Sequence, residues 1–149
     1  MPDKETVERA RKDAQEGKAP STQAGEFVRE EMDHIREGKH GARSTKQAIA
    51  IGLSKARRAG VKLAPPKAGQ ASARTRKQAA RDSRKGRSGQ NAKPSPARSK
   101  AVSQALKRET HAAASPAALA RHAKRAAHAR SKQARSQSAR RAARTRRTR

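Results

Sequence analysis

The stretch KQAIAIGLSKARRAG, residues 46–60, is the only place in the chain where two isoleucines and a leucine lie within five residues of each other. Ser44 stands just before it, and Gln47 follows that serine by three residues, which is the spacing of a capping box at the start of a helix. Gly60 is a typical helix stop. The stretch therefore predicts a helix over about residues 45–59.

A second helix is predicted upstream, over about residues 22–37. Wound at 100° per residue, it gathers apolar side chains on one side and acids on the opposite side. The sequence GKHGAR allows a turn after it, and Gly52 of the following helix suits close packing. We therefore predict a helical hairpin within residues 21–64. The apolar residues of its first helix are Ala24, Val28, Met32 and Ile35, with Phe27 at the margin, and the acids are Glu26, Glu30, Asp33 and Glu37.

Large apolar side chains are scarce in the rest of the chain. Of the 149 residues, 32% are hydrophobic, with one Phe and no Tyr or Trp. Ordering each backbone residue costs roughly 1–2 kcal/mol, which so few large side chains cannot offset over the whole chain. The predicted fold class is therefore mainly α: a polar helix in residues 1–20, the hairpin in residues 21–64, and a long, mostly disordered, conditionally helical Lys/Arg/Ala-rich tail over residues 65–149.

Charge is divided unevenly along the chain, which carries +27 in total. Residues 1–40 contain 8 Lys+Arg and 10 Asp+Glu, whereas residues 41–149 contain 31 Lys+Arg and only two acids, Asp82 and Glu109. Such an excess implies a polyanionic partner, with nucleic acid first and an anionic membrane surface second. The tail has almost no large apolar residue to insert into a bilayer, so we expect no membrane partner.

Catalytic and metal-binding patterns are nearly absent from the sequence. The chain has no Cys, and its five His include no i,i+4 pair. Paired carboxylates occur only along the predicted outer face of the first hairpin helix, where no pocket is expected to shift their pKa values. Glycine-rich phosphate loops and nucleophile elbows are missing. We predict a non-enzyme with no catalytic residues, no cofactor and no metal site.

The C-terminal stretch is the densest cationic part of the chain. Ser115 and Pro116 are typical of a helix start, and residues 117–149 contain 12 Lys+Arg and no acids. Single-strand readers usually stack bases on aromatic side chains, which are lacking here, so duplex DNA is favoured over RNA. The phosphate-binding residues predicted in this stretch are Arg121, Lys124, Arg125, Arg130, Lys132, Arg135, Arg140, Arg141, Arg144, Arg146, Arg147 and Arg149.

The polar face of the helix over residues 45–59 has two interpretations. Gln and Arg side chains are able to read base edges, and Lys or Ser side chains can hold phosphates, which makes this face a candidate recognition surface. Equally, it is the solvated face of a scaffold helix, since helix-turn-helix units normally have a shorter turn than GKHGAR. The residues concerned are Lys46, Gln47, Ser54, Arg57 and Arg58.

Residues 26–60, EFVREEMDHIREGKHGARSTKQAIAIGLSKARRAG, resemble an uncharacterised family of small, basic bacterial and phage-associated proteins with a KQAIAIxLSxA core. The resemblance covers about a quarter of the chain and implies a bacterial intracellular setting, without any activity or catalytic residues. Separately, the tail is similar in composition to the Lys/Arg/Ala-rich termini of linker-histone-like bacterial proteins.

These observations predict a non-enzymatic, largely sequence-independent DNA-binding protein of the nucleoid-associated, histone-like kind, located in the bacterial cytoplasm. The alternative is a protein-interaction module whose basic tail binds RNA, ribosomes or other anionic surfaces. No sign of an export signal is present at the start of the chain. Because large apolar side chains are few, a homodimer formed through the hairpin is a further possibility.

Overall fold

The structure is a computed structural model that describes residues 2–89 and 95–147. In these residues the chain forms seven α-helices and a short 3₁₀ helix, His111–Ala114. The chain divides into two compact units, Met1–Ala114 and Ser115–Arg149. The α-helices are α1 (Lys4–Gln15), α2 (Pro20–Arg36), α3 (Thr45–Arg58), α4 (Ala73–Ser88), α5 (Pro96–Lys107), α6 (Pro116–His128) and α7 (Lys132–Arg147).

Helices α2 and α3 pack closely because Gly52 of α3 lies directly on the backbone of α2. A Cβ atom placed on Gly52 would come within 2.7 Å of the Cα atom of Val28. Ser44 caps α3 by accepting a hydrogen bond from the backbone amide of Gln47, as its sequence predicts. Phe27, expected at the margin of the apolar face, is instead fully buried in the core.

The N-terminal helix α1 is part of this core, although almost all of its side chains are polar. Ala10 is buried together with Phe27, and Val7 packs against the same cluster. Beyond the end of α3, Val61 and Leu63 fold back and cover the cluster. The first unit therefore builds its core from three helices and the segment that follows α3.

Helix α4 packs against α3 through small residues and one ion pair. Ala79 is buried, and a Cβ atom on Gly86 would overlap the carbonyl oxygen of Arg57. Asp82 is fully buried, and Arg58 Nε lies 2.7 Å from its Oδ1. Glycine and alanine on α4 thus let the backbones of the two helices approach closely.

Residues 106–114 cover the turn between α2 and α3. The amides of Gly41 and Ala42 donate to the carbonyl oxygens of Leu106 and Thr110 at 2.9 and 3.0 Å. Thr45 Oγ1 donates to the carbonyl oxygen of Ala113 at 2.7 Å. Gly41 is required here because a Cβ atom would collide with the backbone of Glu109.

The second unit, Ser115–Arg149, consists of α6 and α7. Ser115 accepts a hydrogen bond from the amide of Ala118, and Pro116 occupies the first turn, so the predicted helix start is confirmed. Ser131 caps α7 in the same way through the amide of Ala134, at 3.1 Å. Neither helix contains a buried residue.

The predicted fold class, a small helical hairpin with a mostly disordered tail, is wrong. The α2–α3 pair exists, but α1, α4 and residues 106–114 enclose it, and helices continue to Arg147. The prediction counted only large apolar side chains. It overlooked contacts made by Ala and Gly, and the neutralisation of Asp82 by Arg58. The sequence analysis suggested that a second copy of the chain could pack against the hairpin. Instead, α1, α4 and residues 106–114 of the same chain supply part of that packing.

Replacing Gly52 with Ala tests the close contact between α2 and α3. We expect Gly52→Ala to lower the free energy of unfolding by about 1–3 kcal/mol, because the added methyl group has no space beside Val28. The matched control is Gly25→Ala in α2, where no atom lies within 4 Å of the new methyl group. The control should raise stability by about 0.5–1 kcal/mol, since Ala is the better helix former. Urea unfolding followed by circular dichroism measures both, and equal effects would contradict the close contact.

Removing Arg58 tests the attachment of α4. Arg58→Ala leaves the fully buried carboxylate of Asp82 without its cation, so we expect a loss of about 1–3 kcal/mol and faster amide hydrogen exchange in α4. Arg81→Ala, on the exposed face of the same helix, serves as the control and should change stability by less than about 0.5 kcal/mol. Unchanged exchange in α4 after Arg58→Ala would show that the ion pair does not hold this helix.

Candidate nucleic-acid interface

Three residues of the predicted recognition face, Lys46, Gln47 and Ser54, differ in how fully they face solvent. Lys46 is exposed, and Ser54 is half-buried. Gln47 Oε1 accepts a hydrogen bond from the backbone amide of Arg43, the residue before the N-cap Ser44, at 2.8 Å. The side chain of Gln47 is thus engaged at the start of the helix, and Lys46 is the member of this group that faces solvent most fully.

Arg57 and Arg58, the two arginines of the predicted recognition face, also make contacts inside the protein. Arg57 is only 6% exposed, and its guanidinium donates long hydrogen bonds of 3.4–3.5 Å to the carbonyl oxygens of Leu53, Leu63 and Ala64. Burial lowers the pKa of Arg57, and the charge of Asp82 opposes that shift. Arg58 pairs with Asp82, although half of its side chain remains exposed, so both arginines have partners within the fold.

The cationic side chains of α6 and α7 are arranged differently, because they point into solvent. Every described Lys and Arg of residues 115–147 is exposed, and this segment contains no acid. A shallow depression on α7 is lined by Gln137 and by several arginines, among them Arg140, Arg144 and Arg147. Of the predicted phosphate-binding residues, Arg149 lies outside the described residues. The others are Arg121, Lys124, Arg125, Arg130, Lys132, Arg135, Arg140, Arg141, Arg144, Arg146 and Arg147.

Helix α4 carries a second cationic face that the sequence analysis did not single out. Arg74, Lys77, Arg81 and Arg84 are all exposed, and their spacing of three and four residues aligns them along one side of the helix. The opposite side, with Ala79 and Asp82, is buried against α3. Winding residues 73–88 as a helix would have revealed this stripe, but the segment was predicted to be disordered.

The acids of α2 do not form the solvated stripe that the sequence suggested. Glu26 Oε2 lies 2.8 Å from Nε of Arg9 in α1, and Glu30 is buried beside Lys55 of α3. Asp33 pairs with Arg36, and Glu37 with Lys39, both near the protein surface. The acids of α2 are therefore largely neutralised by neighbouring cations within the first unit.

A buried polar cluster lies between α2 and α3 and is the second chemical feature of the first unit. Glu30 and Glu31 are 5% and 0% exposed, and Lys55 Nζ lies 3.0 Å from Glu30 Oε1 and 2.7 Å from Glu31 Oε2. Burial by itself lowers the pKa of Lys55, but contacts with Glu31 and Glu30 outweigh that effect and raise it. Lys55 is therefore held as an ammonium ion between two carboxylates.

Two histidines extend the cluster toward the surface. His40 Nε2 lies 3.3 Å from Glu31 Oε1, and His34 Nε2 lies 3.2 Å from Asp3 Oδ2. The two imidazole rings are nearly perpendicular, with centroids 6.3 Å apart. One ring nitrogen from each histidine and a carboxylate oxygen of Glu31 all lie within 4.8 Å of one another. Carboxylate and imidazole donors are thus gathered at the C-terminal end of α2, a grouping that histidine spacing alone did not predict.

A family model described as "Family of unknown function (DUF6496)" matches residues 20–68. The matched segment contains α2, α3 and every residue of the buried polar cluster except Asp3. The predicted resemblance of residues 26–60 to an uncharacterised family is thereby confirmed in its coarse form. Comparison with curated proteins and with solved structures finds no match.

Within residues 2–89 and 95–147, no helix has the length and apolar character needed to cross a bilayer.

Replacing Lys55 tests the cation at the centre of the cluster. Lys55→Met leaves two buried carboxylates without their ammonium, so we expect a loss of about 3–5 kcal/mol in the free energy of unfolding. Lys46→Met, an exposed position on the same helix, is the control and should change stability by less than about 0.5 kcal/mol. Chemical unfolding of the two variants makes the comparison, and similar stabilities would exclude a structural role for the Lys55 ion pairs.

Proposed function

We propose that the protein is a non-enzymatic DNA-binding protein that contacts the phosphate backbone without strong sequence preference. The observation that carries this proposal is the exposure of a one-signed set of cations. Residues 115–149 contain 12 Lys+Arg and no acid, and those cations in the described part of α6 and α7 are directed to solvent. Such a surface is strongly self-repelling, and a polyanion removes that repulsion.

The spacing of these charges suits a duplex. In helices that rise 1.5 Å per residue, 12 charges over residues 117–149 give about one positive charge per 4 Å, against one negative charge per about 1.7 Å of duplex DNA. The helices cannot neutralise the whole length of duplex that they follow. They can nevertheless make many phosphate contacts, and with 6–10 contacts the affinity falls about 10³–10⁵-fold between 50 and 200 mM salt.

The α4 stripe gives the first unit a candidate phosphate-binding surface of its own. Arg74, Lys77, Arg81 and Arg84 are exposed along one side of a helix whose other side is attached to α3. The helix is therefore held in place before any ligand arrives, which reduces the ordering cost of binding. Lys46 remains a further phosphate contact on α3, whereas Arg57 and Arg58 are occupied within the fold.

Sequence-independent binding follows from this distribution of side chains. Reading of bases needs polar side chains that are free to enter a groove, and the arginines of α3 proposed for that role are engaged by Leu53, Leu63, Ala64 and Asp82. Contacts with phosphates position a protein without specifying sequence. A nucleoid-associated, histone-like role in a bacterial or phage setting is the corresponding biological proposal, supported by the composition of the tail and the resemblance of residues 26–60.

A salt-titrated binding assay tests the proposal. The intact protein is measured against random duplex DNA, single-stranded DNA and a structured RNA by fluorescence anisotropy at several salt concentrations. We expect the duplex to bind most tightly, with affinity independent of its base sequence and a steep salt dependence. Tighter binding to structured RNA would favour the RNA-binding alternative, and lack of binding to all three near physiological salt would exclude the proposal.

Charge-removal variants identify which surface binds. Arg74→Gln, Lys77→Gln and Arg81→Gln together remove three charges from α4, and Arg140→Gln, Arg141→Gln and Arg147→Gln remove three from α7. Each triple variant should reduce the slope of log affinity against log salt by up to about 2.7, since each phosphate contact contributes about 0.9. The matched control removes three exposed cations from the first two helices: Lys4→Gln, Lys12→Gln and Arg29→Gln. Equal losses in all three variants would indicate a nonspecific effect of net charge.

A further inference from the structure

The buried carboxylate of Glu31 lacks a suitable hydrogen-bond donor. Its side chain is 1% exposed, and neither of its oxygens receives a hydrogen bond from the part of the chain that the structure describes. Lys55 Nζ forms an ion pair with Oε2, at 2.7 Å, so the ammonium ion compensates this oxygen. The other oxygen, Oε1, has no ammonium or guanidinium partner among the described residues, and a buried carboxylate oxygen in this condition costs free energy unless a donor or a cation approaches it.

The nearest group to Glu31 Oε1 is a ring nitrogen that does not supply a proton in its neutral form. His40 Nδ1 lies 3.1 Å from the carbonyl oxygen of Gly41, which can only accept, so Nδ1 carries the hydrogen. In the neutral imidazole, Nε2 is then a lone-pair acceptor, and it lies 3.3 Å from Glu31 Oε1. Two acceptors thus face each other unless a proton on Nε2 or a metal ion lies between them.

The hydrogen bond from His40 Nδ1 to Gly41 is also of the kind that supports a metal-binding histidine. Histidines that bind metals generally donate their second ring N–H to a carbonyl or carboxylate, which fixes the tautomer and the ring orientation. His40 does so to Gly41, and His34 contacts the carboxylate of Asp3. Glu31 and His34 are three residues apart on α2 and therefore lie on one side of the helix. His40 reaches the same place from the turn that follows.

The geometry points to a site for a divalent first-row transition metal ion, with Glu31, His34 and His40 as its ligands. Two imidazoles and one carboxylate are a donor set that suits Zn²⁺ and its neighbours better than Mg²⁺ or Ca²⁺, which prefer oxygen ligands alone. The 3.3 Å between Glu31 Oε1 and His40 Nε2 matches the edge of a tetrahedron with bonds of about 2.1 Å. The ligand nitrogen of His34 lies within 4.8 Å of the other two ligand atoms.

The charge of the surroundings also favours a dication. Asp3, Glu30 and Glu31 contribute three formal negative charges, and Lys55 contributes one positive charge, so the cluster with neutral histidines carries −2. A divalent ion balances that charge. It joins α2 to the turn before α3, on which residues 106–114 lie, and therefore acts as a structural link with one coordination position left for water.

Zn²⁺ titration of the intact, chelator-treated protein tests the site without any nucleic acid, so its outcome is independent of the proposed DNA binding. Competition with a chromophoric chelator should reveal one tight equivalent, and Co²⁺ should give a visible absorption band typical of a low-symmetry nitrogen and oxygen site. We expect His40→Ala and Glu31→Gln each to weaken Zn²⁺ binding at least tenfold. The control replaces the other three histidines, His111→Ala, His122→Ala and His128→Ala, and should retain the tight equivalent.

Histidine ring resonances of the wild-type protein provide a measurement that does not depend on folding of the variants. One equivalent of Zn²⁺ should shift the Cε1–H signals of two of the five histidines, and His34→Ala and His40→Ala should identify them. The metal-bound protein should also melt at a higher temperature than the metal-free protein. Absence of a tight equivalent, or its loss in the control lacking the other three histidines, would overturn the site.

Discussion

The structure of the first unit depends on helices that pack at short distance, as at Gly52, which contacts the backbone of Val28. With one Phe and few large aliphatic residues, the chain cannot fill wide spaces between helices, so its helices must approach closely. The same device recurs at Gly86, which lies against the carbonyl of Arg57, and at Gly41, which lies against residues 109 and 110. At each of these contacts the backbones approach closely because glycine has no side chain.

Close approach leaves little apolar surface to stabilise the unit, and polar pairs take a correspondingly large part. The fully buried Asp82 pairs with Arg58, whose side chain is half exposed, and the buried Glu30 and Glu31 share one cation, Lys55. Replacing both partners of a buried ion pair with apolar side chains often leaves stability unchanged or raises it. Removing only one partner strongly destabilises the protein, because the other charge stays buried. Loss of Arg58 or Lys55 would therefore leave carboxylates buried without their cations at the contacts of α3 with α4 and α2.

The acids and most of the cations lie in different parts of the chain. The acids are concentrated in the first 40 residues, where Arg9, Lys55 and nearby cations neutralise many of them. The α4 stripe, Arg74, Lys77, Arg81 and Arg84, and the described Lys and Arg of residues 115–147 are exposed, and Asp82 is the one acid within these two segments. In the folded protein many acids are paired with cations, whereas the cations of the α4 stripe, α6 and α7 remain exposed. This difference is the physical basis of the proposed interaction with phosphates. The proposed metal site adds a cation to the cluster of Asp3, Glu30, Glu31 and Lys55, where carboxylates outnumber ammonium groups.

The sequence by itself determined the local features: the capped start of α3, the helix start at Ser115, the amphipathic character of α2 and the concentration of cations toward the C-terminus. Each depends on neighbours within a few residues, and periodicity or capping chemistry is sufficient to predict it. The docking of α4, the burial of Arg57 and the gathering of Glu31, His34 and His40 were decided only by the tertiary structure. They depend on glycine and alanine contacts and on charge pairs between segments that are distant in sequence, such as Arg58 with Asp82, and composition does not reveal which small or charged residues will meet.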